Sequence, residues 1–327
     1  MMNKGQGKGI FFGLSSGILW ALDTVLIGIV LSRAVFLSTE QVIFLAPLVS
    51  TLLHDTLSAI WMAIYMLFRG ELKQTLSKLR TKSGLFVVLA ALMGGPVGMT
   101  GYVLAVKYIG ASYTASISAV YPAIGALFAF IFLKDKLGLR SWFGLLISIG
   151  FIFFLGYSNE GIATESYLLG FFFAAMCVVG WGLECVIIAY GMKDDEVSPE
   201  QALQIRQLTS ALTFAAIIIP VFGGHFLTVD VLMSKEFPLI AVIALAGTAS
   251  YVFYYKAINH IGPTKAMALN ITYAAWTVII GMIVLGTAFS PKLLLCSIGI
   301  IVGSILTVAS PKEVIGISFR NGEKKTA

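Results

Sequence analysis

Nearly half of this chain is built from runs of 19 or more residues that contain no Asp, Glu, Lys or Arg: 84–106, 108–133, 141–159, 207–229, 237–255, 266–291 and 293–311. A helix needs about 20 largely apolar residues to cross the hydrocarbon layer of a bilayer. Three further segments reach that length with isolated acids: 11–32 with Asp23, 42–68 with Asp55, and 168–190 with Glu184. The sequence therefore predicts an all-α integral membrane protein of ten transmembrane helices. A transmembrane β-barrel would need short alternating segments, which runs of this length do not provide. Only 12% of the 327 residues are charged, half of the roughly 25% of soluble chains. That deficit excludes a disordered chain, a nucleic-acid binder and a water-soluble enzyme. The first apolar run has a basic flank and no small-residue cleavage site, so it reads as a span rather than a signal peptide.

Basic residues orient the bundle. With the N-terminus cytoplasmic, seventeen Lys and Arg, from Lys4 and Lys8 to Lys312, Arg320, Lys324 and Lys325, fall on the cytoplasmic side. Only Arg33, Lys107, Lys235 and Lys292 fall on the other, with Arg206 at the start of span seven. By the positive-inside rule both termini are expected in the cytoplasm. The acidic loop 158–167, with two glutamates and no basic residue, agrees.

The chain also repeats itself. At an offset of 152, Tyr102, Ala105, Ile109, Gly110, Tyr121 and Ala123 match Tyr254, Ala257, Ile261, Gly262, Tyr273 and Ala275. The same offset lays His54-Asp55 and Ser58 over Arg206-Gln207 and Ser210, and Ser118 over Asn270. Trp20 and Asp23 pair with Trp181 and Glu184 at an offset of 161. The expected units are residues 1–160 and 161–327, each of five spans. Five is odd, so the halves are expected to have inverted topology, a recurrent transporter design.

Acids inside spans are expensive and usually functional. Asp23, Asp55 and Glu184 suit a cationic substrate, a carried proton, or both; pairing of Asp55 with Arg206 or His54 is the structural alternative. Three separated carboxylates form no metal or metal–phosphate motif, and no nucleophile–base set for membrane enzymology is present. Trp20 and Trp181 each precede an acid by three residues, which sets a ring and a carboxylate one helical turn apart. A quaternary ammonium cannot donate a hydrogen bond, so its recognition relies on aromatic faces and a diffuse negative field. Tyr102, Tyr121, Tyr254, Tyr273 and Trp276 are candidates to complete such a cage, and Asn270 to bond a substrate hydroxyl. Glu184, Asp55, His54 and Asp23 are the candidates for proton coupling.

Gly13-x-x-x-Gly17, Gly94-x-x-x-Gly98 and Gly299-x-x-x-Gly303 are expected at close helix contacts. The dense run from Gly94 to Gly101 is expected to bend span three and bring backbone to a central cavity. Pro122 is expected to kink span four, and tight joints are expected at Ile109-Gly110 and Ile261-Gly262-Pro263. Cys177, Cys185 and Cys296 show no ligand or disulfide spacing and read as core residues.

Across residues 5–310 the chain resembles the drug/metabolite transporter superfamily, and within it the bacterial choline permeases of the phosphorylcholine pathway. The motifs that carry this are GGPVGMTGYVLAVKYIG at 94–110, SAVYPA at 118–123, GWGLECVI at 180–187, IRQLTS at 205–210 and ALNITYAAWTV at 268–278. The resemblance implies inward choline transport by alternating access with proton coupling. It places Trp20, Trp181, Glu184, Tyr254, Tyr273 and Trp276 at the pocket and His54-Asp55 in the family's His-Asp pair. The expectation is therefore a proton-coupled importer of choline or a related amine in a bacterial inner membrane. Its partners are the small cation, protons and lipids; it is a monomer or homodimer without cofactor, metal or nucleic acid. The rival on the same scaffold is a multidrug or small-metabolite exporter; an anionic-metabolite carrier would want more basic residues than Arg206 and His54.

Overall fold

The computed structural model describes residues 4–118, 120–156, 167–193, 196–286 and 291–308. The expected acidic loop and the basic residues from Lys312 onward lie outside them, as does the expected boundary at residue 160. Among the described residues the chain is helical, with no strand. In order come α1 (Lys4–Leu31), α2 (Glu40–Phe68), α3 (Leu72–Lys78) and α4 (Lys82–Leu92), a π-helical turn at Met93–Met99, then α5 (Thr100–Ser118), α6 (Tyr121–Phe128) and α7 (Leu139–Gly156). The second half holds α8 (Tyr167–Gly191), α9 (Pro199–Thr213), α10 (Ile219–Phe222), α11 (His225–Leu232), α12 (Phe237–Ile261), α13 (Pro263–Asn270), α14 (Tyr273–Leu285) and α15 (Pro291–Val308). Seven helical stretches among the described residues are long and apolar enough to cross a membrane. Three shorter apolar helices, Tyr121–Leu133, Leu139–Phe154 and Leu294–Thr307, fall in the remaining expected spans.

Local chemistry explains the boundaries. Ser198 caps α9 by accepting the Gln201 N–H while the Gln201 side chain returns to the Ser198 N–H, a reciprocal capping box. Gly262 joins α12 to α13 at φ +82°, a conformation that an L side chain strains. At the equivalent Ile109-Gly110 the helical backbone continues in both directions. The chain nevertheless turns back somewhere between Tyr102 and Tyr121: both lie within 6 Å of the Trp181 ring, whereas a straight helix would separate them by about 28 Å.

The interruptions that matter lie deeper. The helix breaks between Ser118 and Tyr121, with Pro122 opening the next segment, and again between Asn270 and Tyr273. These are the same two positions at the repeat offset, and the second break needs no proline. There Thr272 Oγ1 donates to the Leu269 carbonyl at 2.6 Å, offering the backbone an alternative to the helical bond. The glycine-rich run does bend its span: Met93–Met99, with Pro96 inside it, is π-helical.

The halves interlock. α1 lies along α12 and α5 along α8, while α2 meets α9 and α7 meets α15. Gly9 abuts His260 and Ile261, and its counterpart Gly170 abuts Tyr108 and Ile109. All three GxxxG motifs lie at contacts: Gly13 and Gly17 on Leu269 and Thr272, Gly94 and Gly98 on Glu184 and Trp181, Gly299 and Gly303 on Phe151 and Ser148. Small residues let helix backbones approach where no water is available to drive association. The outer surface is correspondingly apolar, with Phe68, Leu139 and Phe226 each at least 85% exposed.

This packing makes a paired prediction. A Cβ on Gly144 would meet the Gly303 carbonyl at 2.6 Å, whereas one on Gly150 meets nothing within 4 Å. Gly144→Leu is expected to destabilise the fold by about 1–3 kcal/mol through overpacking. Gly150→Leu is expected to leave the unfolding temperature in detergent unchanged.

Candidate functional site

Glu184 on α8 and Arg206 on α9 meet because Gly94 on the π-helical turn leaves room for the carboxylate. A Cβ at Gly94 would overlap the Glu184 Oε2 atom. Arg206, 2% exposed, donates from Nε to Glu184 Oε1 at 2.8 Å. Its Nη1 reaches both oxygens of Asp55 on α2 at 3.2 Å and Gln207 Oε1 at 2.6 Å. Its Nη2 donates to the Tyr251 hydroxyl at 3.3 Å, and the guanidinium carbon stands 4.7 Å from the centre of that ring. Ser210 Oγ donates to Asp55 Oδ2 at 2.6 Å.

The ionic chain continues into α1. His54 Nδ1 lies 3.6 Å from Asp55 Oδ1, and His54 Nε2 lies 3.1 Å from Asp23 Oδ1. Five titratable groups, Asp23, His54, Asp55, Arg206 and Glu184, thus form one buried line. It has a repeat logic: at the two offsets, the Asp23–His54 pair of the first half corresponds to the Glu184–Arg206 pair of the second. Gly247 gives His54 and Asp23 the clearance that Gly94 gives Glu184.

Beside the Glu184 end lies a cavity of about 100 Å³ lined by Trp20, Gly94, Met99, Tyr121, Trp181, Glu184, Cys185, Arg206, Ser250, Tyr251, Tyr254, Asn270 and Tyr273. Both helix breaks open onto it, through Tyr121 and Asn270–Tyr273. Trp181 meets Tyr121 edge-on at 87°, and Trp20 meets Tyr251 edge-on at 85°. Asn270 donates to Ser16 Oγ at 2.9 Å and accepts from the Tyr121 hydroxyl at 3.4 Å. The Tyr254 hydroxyl pairs with Cys185 Sγ at 2.9 Å. The result is a wall of aromatic faces with one carboxylate and one guanidinium.

Of the residues expected at the site, Trp20, Tyr121, Trp181, Glu184, Tyr254, Asn270 and Tyr273 line the cavity. Three do not. Tyr102 stands behind the wall, stacked on Trp181 with centroids 5.7 Å apart. Asp23 turns instead to His54 of α2, its ion-pair partner at 3.1 Å. Trp276 lies beyond the lining; its indole N–H is buried without a partner in the structure. Asp55 takes the salt-bridge alternative and is held by Arg206 and Ser210 rather than facing the cavity.

Sequence reasoning passed over Met99, Cys185, Ser250 and Tyr251, and weighed Arg206 as a partner for Asp55 or as a basic residue for an anionic substrate, not as part of an amine site. Tyr251 corresponds to Met99 at the repeat offset, so a search for matched aromatics could not find it. The cysteines are buried and free, as expected, but Cys185 borders the cavity rather than only filling the core. No group of three or more His, Cys, Asp or Glu among the described residues is arranged to hold a metal ion.

A membrane bundle with a small aromatic cavity on its buried charges is the architecture of a small-molecule carrier, and the chain belongs to the EamA-like transporter family, whose model matches residues 7–157 and again 168–309. It is therefore a multi-pass membrane transporter and not an enzyme. It is 29% identical over 303 residues to Protein LicB of Haemophilus influenzae, covering 92% of this chain and 97% of that protein. An uncharacterized transporter of Clostridium kluyveri is 22% identical over 70% of this chain and 73% of its own length. A solved crystal structure covers 91% of this chain and 96% of its own with TM-score 0.64 at 19% identity, a likeness of fold.

The ionic chain predicts its own fragility. Arg206→Ala leaves Asp55 and Glu184 buried with no guanidinium, and is expected to destabilise the protein by about 3–5 kcal/mol. Adding Asp55→Asn to that variant is expected to recover part of the loss in thermal unfolding.

Proposed function

We propose that this protein imports choline or a closely related quaternary or tertiary amine by alternating access, with a proton as coupling ion. The observation that carries the reading is the lining of the cavity: Trp20, Tyr121, Trp181, Tyr251, Tyr254 and Tyr273 around a single carboxylate, Glu184. A trimethylammonium group has no N–H to donate, so aromatic faces and one nearby negative charge are what bind it. Asn270 and Ser250 supply polar atoms for a hydroxyl tail. The resemblance to choline permeases in the site motifs supports the same substrate class.

The proposed architecture is ten spans in two inverted five-helix repeats, residues 1–160 and 161–327, in a bacterial plasma membrane with both termini cytoplasmic. Two family matches, the mirrored helix breaks and the interlocked pairs α1 with α12 and α5 with α8 support this arrangement. Rocking of one half against the other would expose the cavity to each side in turn. Asp23, His54, Asp55 and Glu184 are the proposed proton-handling groups: they form one chain with Arg206, so a charge change at any of them is felt at the cavity.

Uptake of radiolabelled choline into proteoliposomes, competed by betaine, carnitine, spermidine and tetraphenylphosphonium, tests the substrate. Acidification of the lumen on choline addition tests the coupling; uptake without proton movement at any pH would leave facilitated transport. Trp181→Ala is expected to weaken amine binding by roughly 1–2 kcal/mol through loss of a cation–π face; unchanged binding would remove Trp181 from the cage. Glu184→Gln is expected to abolish uptake while folded protein stays in the membrane, since Arg206 retains Asp55.

A further inference from the structure

Arg206 already makes the two kinds of contact an ammonium ligand needs. Its Nε donates to Glu184 Oε1 at 2.8 Å, and its guanidinium carbon stands 4.7 Å from the Tyr251 ring centre. Glu184, Tyr251 and Arg206 all border the cavity. An amine that enters therefore meets a carboxylate and an aromatic face that a cation of the protein is using. Arg206 also has somewhere to go. Nη1 reaches both Asp55 oxygens at 3.2 Å and Gln207 Oε1 at 2.6 Å, and neither Asp55 nor Gln207 lines the cavity. The guanidinium can release Glu184 while Nη1 keeps its counter-ion as a pivot.

We propose that Arg206 is a tethered cation that holds the substrate's cation subsite at Glu184 and Tyr251 while the site is unloaded, and withdraws to Asp55 when an amine binds. This rests on the amine reading above. The device belongs to one half of the chain: at the repeat offset Arg206 corresponds to His54, which is engaged with Asp23 and does not border the cavity. Two consequences follow for transport. The empty site never presents a bare carboxylate in a low-dielectric interior, a state that would be strongly destabilised. A small inorganic cation must displace a hydrogen-bonded guanidinium without the apolar surface that lets an organic ammonium gain from the aromatic wall. Arg206 thus determines specificity by competition.

A tethered competitor lowers apparent affinity by the fraction of molecules in which it leaves the subsite. Removing Arg206 alone would also make the cluster more negative, so the deciding variant is Asp55→Asn with Arg206→Gln. It removes one negative and one positive charge and keeps the net charge of the cluster. Choline binding to the purified full-length protein is measured by titration calorimetry. The double variant is expected to bind about tenfold tighter than the unaltered protein. Equal or weaker binding overturns the inference, because a purely structural ion pair gives no reason for tightening. Should the double variant fail to fold, Gln207→Leu decides. It loosens the hold on Nη1 without changing charge or lining, so Arg206 leans further onto Glu184 and choline binds several-fold more weakly; unchanged or tighter binding overturns the inference. Failure of the unaltered protein to bind any quaternary amine sinks the amine reading and this inference together. Binding that does not tighten in the double variant sinks this inference alone.

Discussion

A guanidinium placed among membrane-spanning helices has no water to fall back on, so it is tolerated only where protein groups surround it. Arg206 meets that condition with Glu184 from α8, Asp55 from α2 and Tyr251 from α12, and the chain reaches α1 through His54 and Asp23. Five helices from both halves of the sequence are tied at one point. None of these ions is stable there alone, and the network does not form until the helices have met. That mutual dependence makes the bundle's centre specific rather than merely apolar.

Much else in the structure serves to let those groups approach and then keep them dry. Gly94 and Gly247 clear space for the Glu184 carboxylate and the His54 ring. Two apolar clusters flank the ionic line. One contains Met66, Leu203, Ile205 and Ile258; the other contains Leu48, Phe214, Ile240 and Ile243. Along α2, along α12 and from α9 on into Phe214 the chain passes from one cluster to the other across the charged level. The cavity sits at that level because α5 gives way to α6, and α13 to α14, where the breaks turn Tyr121, Asn270 and Tyr273 onto it.

How much of this was legible in advance varied with the kind of signal. The helical class followed from the lengths of uncharged runs. Duplicated positions were informative: Trp181, Glu184, Tyr254 and Tyr273 all line the cavity. Duplication misled where the halves differ. Asp23 matches Glu184 in sequence but faces His54, because the base following it in space is an imidazole that can be reached from α1. Tyr251 has only Met99 as its counterpart and was invisible to a search for pairs. The helix break at Asn270–Tyr273 had no proline to announce it, while the one before Tyr121 did.

Sequence alone determined that the chain is a multi-pass helical membrane protein, that its family pattern occurs twice, and that a few acids lie inside its apolar helices. Those properties are local: they depend on run length, on spacing and on the expense of charge in hydrocarbon. Which acid borders the cavity and which is spent on an internal cation was decided only by tertiary structure. A helix offers each side chain one direction, and what stands there belongs to a helix far along the chain: Arg206 from α9 for Asp55 of α2, and Gly94, through its missing Cβ, for Glu184 of α8.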